Sequence, residues 1–263
     1  LTVDGTMCTG GAVCIMMMLS GHNVWISMLA ATLAGMLAGL VTGIFHTFMG
    51  IPAILAGILT QLSLYSVNLK IMGKANQAIN VDKYNLLVSL RHIKNASLSK
   101  NTIFIVAVMC ILLIAILYWF FGTEIGCALR ATGNNEFMVR ALGGNTDTSK
   151  VLGLVISNGL ISVSGALVAQ NQGYGDIKMG TGSIVIGLAS IVIGEVIFGK
   201  RFNFAYILAS LIGGAMVYRM IISLVLHFGL STDDMKLFTA IIVALALGIP
   251  ALKSKYSHRR TPA

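Results

Sequence analysis

The run VWISMLAATLAGMLAGLVTGIFHTF, residues 24–48, contains no Asp, Glu, Lys or Arg. A helix needs about 20 apolar residues to cross a ~30 Å hydrocarbon core, so this run is long enough to span a bilayer. Its hydrophobic residues come as a block, not in the two-residue alternation of a half-buried strand. Small residues recur in it at every fourth position, Ala31, Gly35, Gly39 and Gly43. They form a ridge along which a second helix can approach closely.

The same signal repeats along the chain, at residues 7–19, 51–69, 102–121, 151–168, 183–198, 204–228 and 237–252. The segments at 7–19 and 183–198 are short for a spanning helix and fit half-helices or re-entrant segments. Over the whole chain 56% of residues are hydrophobic and 10% charged, with mean hydropathy +0.87, where soluble domains carry about 25% charged residues. So little charge cannot cover a water-facing surface. The fold class expected is all-α, a polytopic transmembrane helical bundle forming one domain over residues 1–263, and a β-barrel is excluded. The 29 glycines and three prolines suit close helix contacts and interrupted helices, as transporters have.

The net charge of +9 would suggest nucleic acid in a soluble protein, but here the basic residues concentrate in the short polar connections, where they orient helices. The tail KSKYSHRR directly follows the last span and places the C-terminus in the cytoplasm by the positive-inside tendency. Threading backwards puts 122–150 and Lys200-Arg201 inside as well. Interior connections then hold Arg130, Arg140, Lys150, Lys200, Arg201, Lys253, Lys255, Arg259 and Arg260. The exterior connection at 70–101 concentrates six more, Lys70, Lys74, Lys83, Arg91, Lys94 and Lys100, and long loops obey the charge rule less strictly. That loop could receive an acidic rim on a binding protein or lie on anionic headgroups.

Cys8, Cys14, Cys110 and Cys127 sit in or beside apolar blocks without CxxC or Cys/His spacing, and read as packing residues with no metal site and no disulfide. The opening LTVDGTMCTGG has neither a basic n-region nor an initiator Met, which reads as a start within a longer chain. No GxxxxGK[ST] phosphate loop occurs, so a nucleotide-hydrolysing site is expected on another chain. GYGDIKMGTGS is glycine-rich but lacks the Lys that follows the last Gly of such a loop and lacks its strand-to-helix setting. Nor is there an HExxH or a pairing of acids or serine and histidine for an intramembrane enzyme: His22, His46 and His227 lie near span ends, His92 in a loop and His258 in the tail.

Between the fourth and fifth spans lies TEIGCALRATGNNEFMVRALGGNTDTSK, residues 123–150. It writes out a short helix: Asn134 or Asn135 as cap, Glu136 in the first turn, Arg140 in the last, and Gly143-Gly144 as the stop. Phe137, Met138, Ala141 and Leu142 then share one face. That apolar face has to be buried by the bundle, by the lipid interface or by a partner protein.

The run LRATGNNEFMVRALGGNTDTSKVLGLVISNGLISVSGALVAQ resembles the branched-chain amino acid and ribose-type ABC permeases. These have a cytoplasmic R-A-x-G-x-N element and a Gly-containing turn leading into a helix with a small-residue A/S-G-A/G-L stretch. The matching positions are Arg130, Ala131, Gly133, Asn134, Gly143, Gly144, Ser164, Gly165, Ala166 and Leu167. LTVDGT, IPAILAGILTQLSLYSVNLKIMG and GYGDIKMGTGSIVIGLASIVIGE resemble a closer subgroup, some of whose members are assigned to tryptophan or aromatic amino acid import. The resemblance runs over nearly the whole chain.

It implies a multi-pass permease of the bacterial cytoplasmic membrane that pairs with a second copy. Two cytoplasmic ABC ATPase subunits using ATP and Mg would drive it, and an extracellular substrate-binding lipoprotein would feed it. Residues 123–150 would be the coupling segment, with Arg130, Gly133, Asn134, Glu136, Phe137, Met138, Arg140, Leu142, Gly143 and Gly144 at the ATPase. The resemblance also implies a transmembrane helix ahead of LTVDG that this sequence does not contain.

Polar residues within the spans are candidates for a translocation path, because polar groups facing lipid are costly. They are Asp4, Thr60, Gln61, Asn68, Asn158, Ser162, Gln170, Asn171, Glu195 and Arg219; the alternative for each amide or hydroxyl is a hydrogen bond between helices. Arg219 could snorkel, pair with an acid or meet a substrate carboxylate, and Glu195 fits a salt bridge with Lys200-Arg201. The function expected is import of a small solute, an amino acid before a sugar or nucleoside, by alternating access; a stand-alone secondary transporter or channel is the alternative.

Overall fold

The computed structural model describes residues 2–80, 84, 86–88, 102–198, 204–227, 241 and 244. Most of the 70–101 connection, the Lys200-Arg201 pair, nearly all of the 237–252 span and the basic tail lie outside the described residues. The element order is α1 (Val3–Leu19), α2 (Val24–Thr47), α3 (Ala53–Met72), β1 (Asn76–Ala78), α4 (Thr102–Gly122), α5 (Glu124–Asn134), α6 (Glu136–Ala141), α7 (Thr146–Gln172), β2 (Tyr174–Asp176), α8 (Ser183–Phe198) and α9 (Phe204–His227). α2, α3, α4, α7 and the Phe204–Leu224 part of α9 are long and apolar enough to cross a membrane, and α1 and α8 are shorter apolar helices. Within the domain expected over 1–263 there are two compact units, residues 1–181 and 182–263. Each is described by itself.

α7 is the axis of the first unit and is longer at both ends than hydropathy alone predicts. At its start the Asn145 side chain accepts from the backbone N–H of Asp147 and Thr148 at 3.1 and 3.2 Å, satisfying donors that a helix start leaves open. At its end the buried amide of Gln170 is hydrogen-bonded, so the helix carries polar residues past the point where the apolar run stops. α1 likewise starts earlier than the apolar run, with Asp4 in its first turn, where an acid complements the helix dipole.

α2 lies antiparallel along α7 on the Ala31-Gly35-Gly39-Gly43 ridge. A Cβ at Gly35 would land on Ser162 and one at Gly39 on the Leu154 carbonyl, so the two backbones touch there. The Ser162 hydroxyl donates to the Ala31 carbonyl at 2.5 Å, tying the ridge to α7 at its upper end. α1 runs parallel to α7: Thr2 and Thr6 meet Asn158, and Cys14 meets Gln170. α3 flanks α1, with Asn68 donating to the Gly5 carbonyl at 3.3 Å. The core between these helices contains Cys14, Ile15, Met18, Ala31, Ala166 and Ala169, small or slender residues that permit close helix approach.

Two features were not expected from the sequence. A short antiparallel pair, with Gln77 opposite Gly175, links the ends of α3 and α7. From there residues 173–181 turn back along α1: Gly175 packs on Ile15, the Asp176 carbonyl accepts from the Cys8 thiol at 3.5 Å, and Gly180 lies against the Asp4 backbone. This non-helical stretch therefore retraces about 16 Å of α1 at the ~1.5 Å helical rise. In the second unit α8 and α9 pack through Gly194 against Ser210 and Gly214 against Ser190, around Ala189, Ile193 and Tyr218.

Candidate functional site

At one end of the first unit, α5, α6, the start of α7 and the α2–α3 turn come together. Asn135, not Asn134, caps α6: it has extended backbone (φ −154°, ψ 98°) and its side chain accepts from the Met138 N–H at 3.1 Å. Gly143 ends the helix with φ +83°, the left-handed conformation that only glycine adopts freely, and its N–H donates to the Arg140 carbonyl at 3.0 Å. α5, a separate amphipathic helix ahead of it, escapes the hydropathy reading because its apolar residues are spaced around polar ones. Thr123 caps it by accepting from Gly126 N–H at 3.3 Å.

The apolar face of α6 is uncovered. Phe137 is 84% and Leu142 79% exposed, and Met138 and Ala141 are exposed too. Val139 alone turns inward and packs against Gly144. The exposed Phe48 and Met49 of the α2–α3 turn lie at the same end: Thr47 and Phe48 line a cavity of about 340 Å³ with Asn145, Asp147, Thr148 and Val151. The His46 ring nitrogen Nδ1 contacts the Ile51 carbonyl at 2.9 Å, bracing that turn.

Glu136 and Arg140 point the other way. Glu136 Oε1 lies 2.6 Å from Lys150 Nζ and 2.9 Å from Arg140 Nη2. Arg140 reaches Asp147 Oδ1 at 3.2 Å and donates from Nε to the buried Thr146 hydroxyl at 2.7 Å, and that hydroxyl sits 3.3 Å from Glu136 Oε1. The hydrogen bond from Lys150 is the main reason the Glu136 carboxyl is held below its ordinary value, with the charges of Lys150 and Arg140 and the Thr146 hydroxyl adding to it and desolvation opposing. Arg130, Gly133 and Asn134 are exposed on α5, and Gly133 has open space where a Cβ would be.

The polar residues of the spans separate into two groups. Thr60, Asn68, Asn158, Ser162 and Gln170 are buried between helices of the same chain. Thr42 donates to Thr60 at 3.1 Å, Thr2 and Thr6 donate to Asn158 Oδ1 at 2.9 and 2.8 Å, and Gln170 takes the Leu87 N–H at 3.2 Å. Gln61 and Asn171 are half-exposed and Arg219 is exposed on α9. Asn171 lines a cleft of about 480 Å³ between α4 and α7, with Cys110, Leu113, Leu160, Ser164 and Leu167. Asp4 and Glu195 are half-buried, and the expected partners of Glu195 lie outside the described residues. Cys8 and Cys14 are packing residues in the core, whereas Cys127 is exposed on α5.

Residues 1–250 match the family described as branched-chain amino acid transport system / permease component. The chain is 37% identical over 244 residues to the tyrosine transport system permease protein of Clostridioides difficile, covering 92% of this chain and 79% of that protein. An uncharacterized protein of Rickettsia prowazekii is 33% identical over 256 residues, covering 94% and 86%. The autoinducer 2 import system permease protein LsrC of Yersinia pseudotuberculosis is 29% identical over 158 residues, covering 59% of this chain and 42% of its own length. No solved structure matches the chain. The chain therefore belongs to the branched-chain amino acid transport system permease family: it is a multi-pass protein of the bacterial cytoplasmic membrane, the permease component of an ABC-type transport system and not itself an enzyme, and it works with ATPase subunits on other chains.

Proposed function

We propose that this permease imports an amino acid, an aromatic one foremost, and that α6 is the helix its ATPase partner holds. The observation that carries the coupling reading is the uncovered apolar face of Phe137, Met138, Ala141 and Leu142 on a capped, well-ended helix. An amphipathic helix seated in a groove is a recurring docking mode. The name of the C. difficile relative supports the solute class. The alternative solute is a sugar or a nucleoside; the shorter similarity to an autoinducer 2 import permease is to a system named for a solute other than an amino acid.

In this reading two copies of the chain form the pore, two ATPase subunits supply ATP and Mg chemistry, and an extracellular lipoprotein delivers the solute. Gln61, Asn171 and Arg219 are the path candidates, because their side chains reach a surface of their own unit. Thr60, Asn68, Asn158, Ser162 and Gln170 hold helices together and shape the path from behind.

Phe137→Asp and Gly143→Pro test the coupling reading in the assembled transporter. Both should abolish permease stimulation of the ATPase while leaving membrane insertion intact. Normal stimulation in both variants would remove α6 from the ATPase interface. The solute is tested by uptake of labelled tyrosine, tryptophan, leucine and ribose into vesicles carrying permease, ATPase and lipoprotein; uptake of ribose alone would reverse the amino acid assignment.

A further inference from the structure

Between α6 and α7 the chain is only Leu142 to Asn145, and two of those four residues are glycines. Gly143 sits at φ +83° with open space around it. A turn of this kind is compliant, and by itself it would let α6 swivel without moving α7. Four polar links bridge it instead: Glu136 to Lys150, Arg140 to Asp147, Arg140 to Thr146, and Thr146 to Glu136. Lys150 is one full turn into α7, so the Glu136 link bypasses the glycines and reaches the body of the helix. Val139 against Gly144 adds an apolar pin on the same side.

We propose that Glu136, Arg140, Asp147 and Lys150 are positioning residues that lock α6 and α7 into one lever, and that they act on α7 without touching the ATPase. The inference rests on the reading of α6 as the docked helix. It separates two jobs within seven residues: Phe137, Met138, Ala141 and Leu142 face away from the bundle to be gripped, while Glu136, Val139 and Arg140 face α7 and the turn before it to pass the motion on. α7 is suited to receive it, since Asn158 and Ser162 couple it to α1 and α2, and Gly173, just past its end, accepts from Ile79 N–H at 2.8 Å. Displacement of α6 would then reach the far end of α7, next to the β1–β2 pair, without local melting of the turn.

The test uses the permease with its ATPase in right-side-out vesicles and two readouts. One is the affinity of the ATPase for the permease. The other is the labelling rate of Gln172→Cys, at the far end of α7, by a membrane-impermeant maleimide, with and without ATP and vanadate. In the otherwise unaltered chain nucleotide should change the labelling rate at least threefold. Lys150→Met and Glu136→Gln should bind the ATPase within twofold of the parent yet make labelling insensitive to nucleotide, and Lys150→Arg, which keeps the charge, should restore the response.

A parent chain whose labelling ignores nucleotide would overturn the proposal, as would Lys150→Met behaving like the parent. Loss of ATPase affinity in Lys150→Met and Glu136→Gln would also overturn it, by making these residues part of the interface. Failure of the docking reading itself looks different: Phe137→Asp would then bind the ATPase normally, whatever the Lys150 variants do.

Discussion

Lys150 Nζ lies 2.6 Å from Glu136 Oε1 across the Gly143-Gly144 turn, so Glu136, which the family resemblance puts among the residues at the ATPase, is ion-paired to α7 of its own chain. Each exposed ion pair of this kind is worth little alone. Here one carboxylate is shared by two cations, and one of those cations also holds Asp147 and Thr146. The value of the arrangement is geometric: it fixes the angle between two helices joined by glycines.

The attachment of α6 to α7 should be acid-sensitive. Lys150, chiefly, holds the folded pKa of Glu136 below its ordinary value. The contribution of the carboxylate is therefore complete above the ordinary carboxylate range of about 4–4.5 and is lost as pH falls through the lower, folded value. Hydrogen exchange at the Leu142 and Gly144 amides, which donate to Met138 and Val139 carbonyls, should stay slow down to that range and quicken below it. In Lys150→Met the quickening should move to higher pH; an unchanged profile would mean the lysine does not hold the carboxylate in solution.

The membrane orientation can be read from one native thiol. Cys127 is exposed on α5, whereas Cys8 and Cys14 are buried and Cys110 faces the α4–α7 cleft. A membrane-impermeant maleimide should label Cys127 in inside-out vesicles and leave it unlabelled in right-side-out ones. The reverse pattern would invert the topology that the basic connections imply.

The spans that fall within the described residues were legible because a spanning helix announces itself by length and by absence of charge, and α2 and α8 begin where the hydropathy does. The ridge at Gly35 and Gly39 was legible for the same kind of reason, a fixed spacing of small residues, although not its partner, since α7 lies far away in the chain. What the sequence could not separate is the role of polar residues within spans. Asn158 and Asn171 lie on one helix in similar surroundings of sequence; one bonds Thr2 and Thr6 and the other borders an open cleft. Only the packing distinguishes them. The returning segment at 173–181 was missed because its strand is three residues long and its glycines, at Gly175 and Gly180, serve contacts with α1 that no local pattern encodes.

That difference between the two asparagines predicts opposite phenotypes. Asn158→Leu removes the acceptor for the Thr2 and Thr6 hydroxyls and should cost about 1–2 kcal/mol, interhelical hydrogen bonds in membranes being of that order or less. It should appear as a lower Tm of the detergent-solubilised permease. Asn171→Leu should leave Tm unchanged and alter uptake. Equal loss of Tm in both would place Asn171 among the structural residues and remove it from the path.

The close contact of α2 with α7 sets the last expectation. A Cβ at Gly39 would collide with the Leu154 carbonyl, a backbone atom that cannot rotate away, so Gly39→Ala has to push the two helices apart. Overpacking of this kind costs about 1–3 kcal/mol, and spreading the ridge would also strain the Ser162 hydroxyl bond to Ala31 further along both helices. Gly187→Ala in α8 is the control, because open space surrounds it and alanine is the better helix former by about 1 kcal/mol. Gly39→Ala should lower Tm and Gly187→Ala should hold or raise it; a Gly39→Ala permease as stable as the parent would show that α2 and α7 do not touch at this ridge in the membrane.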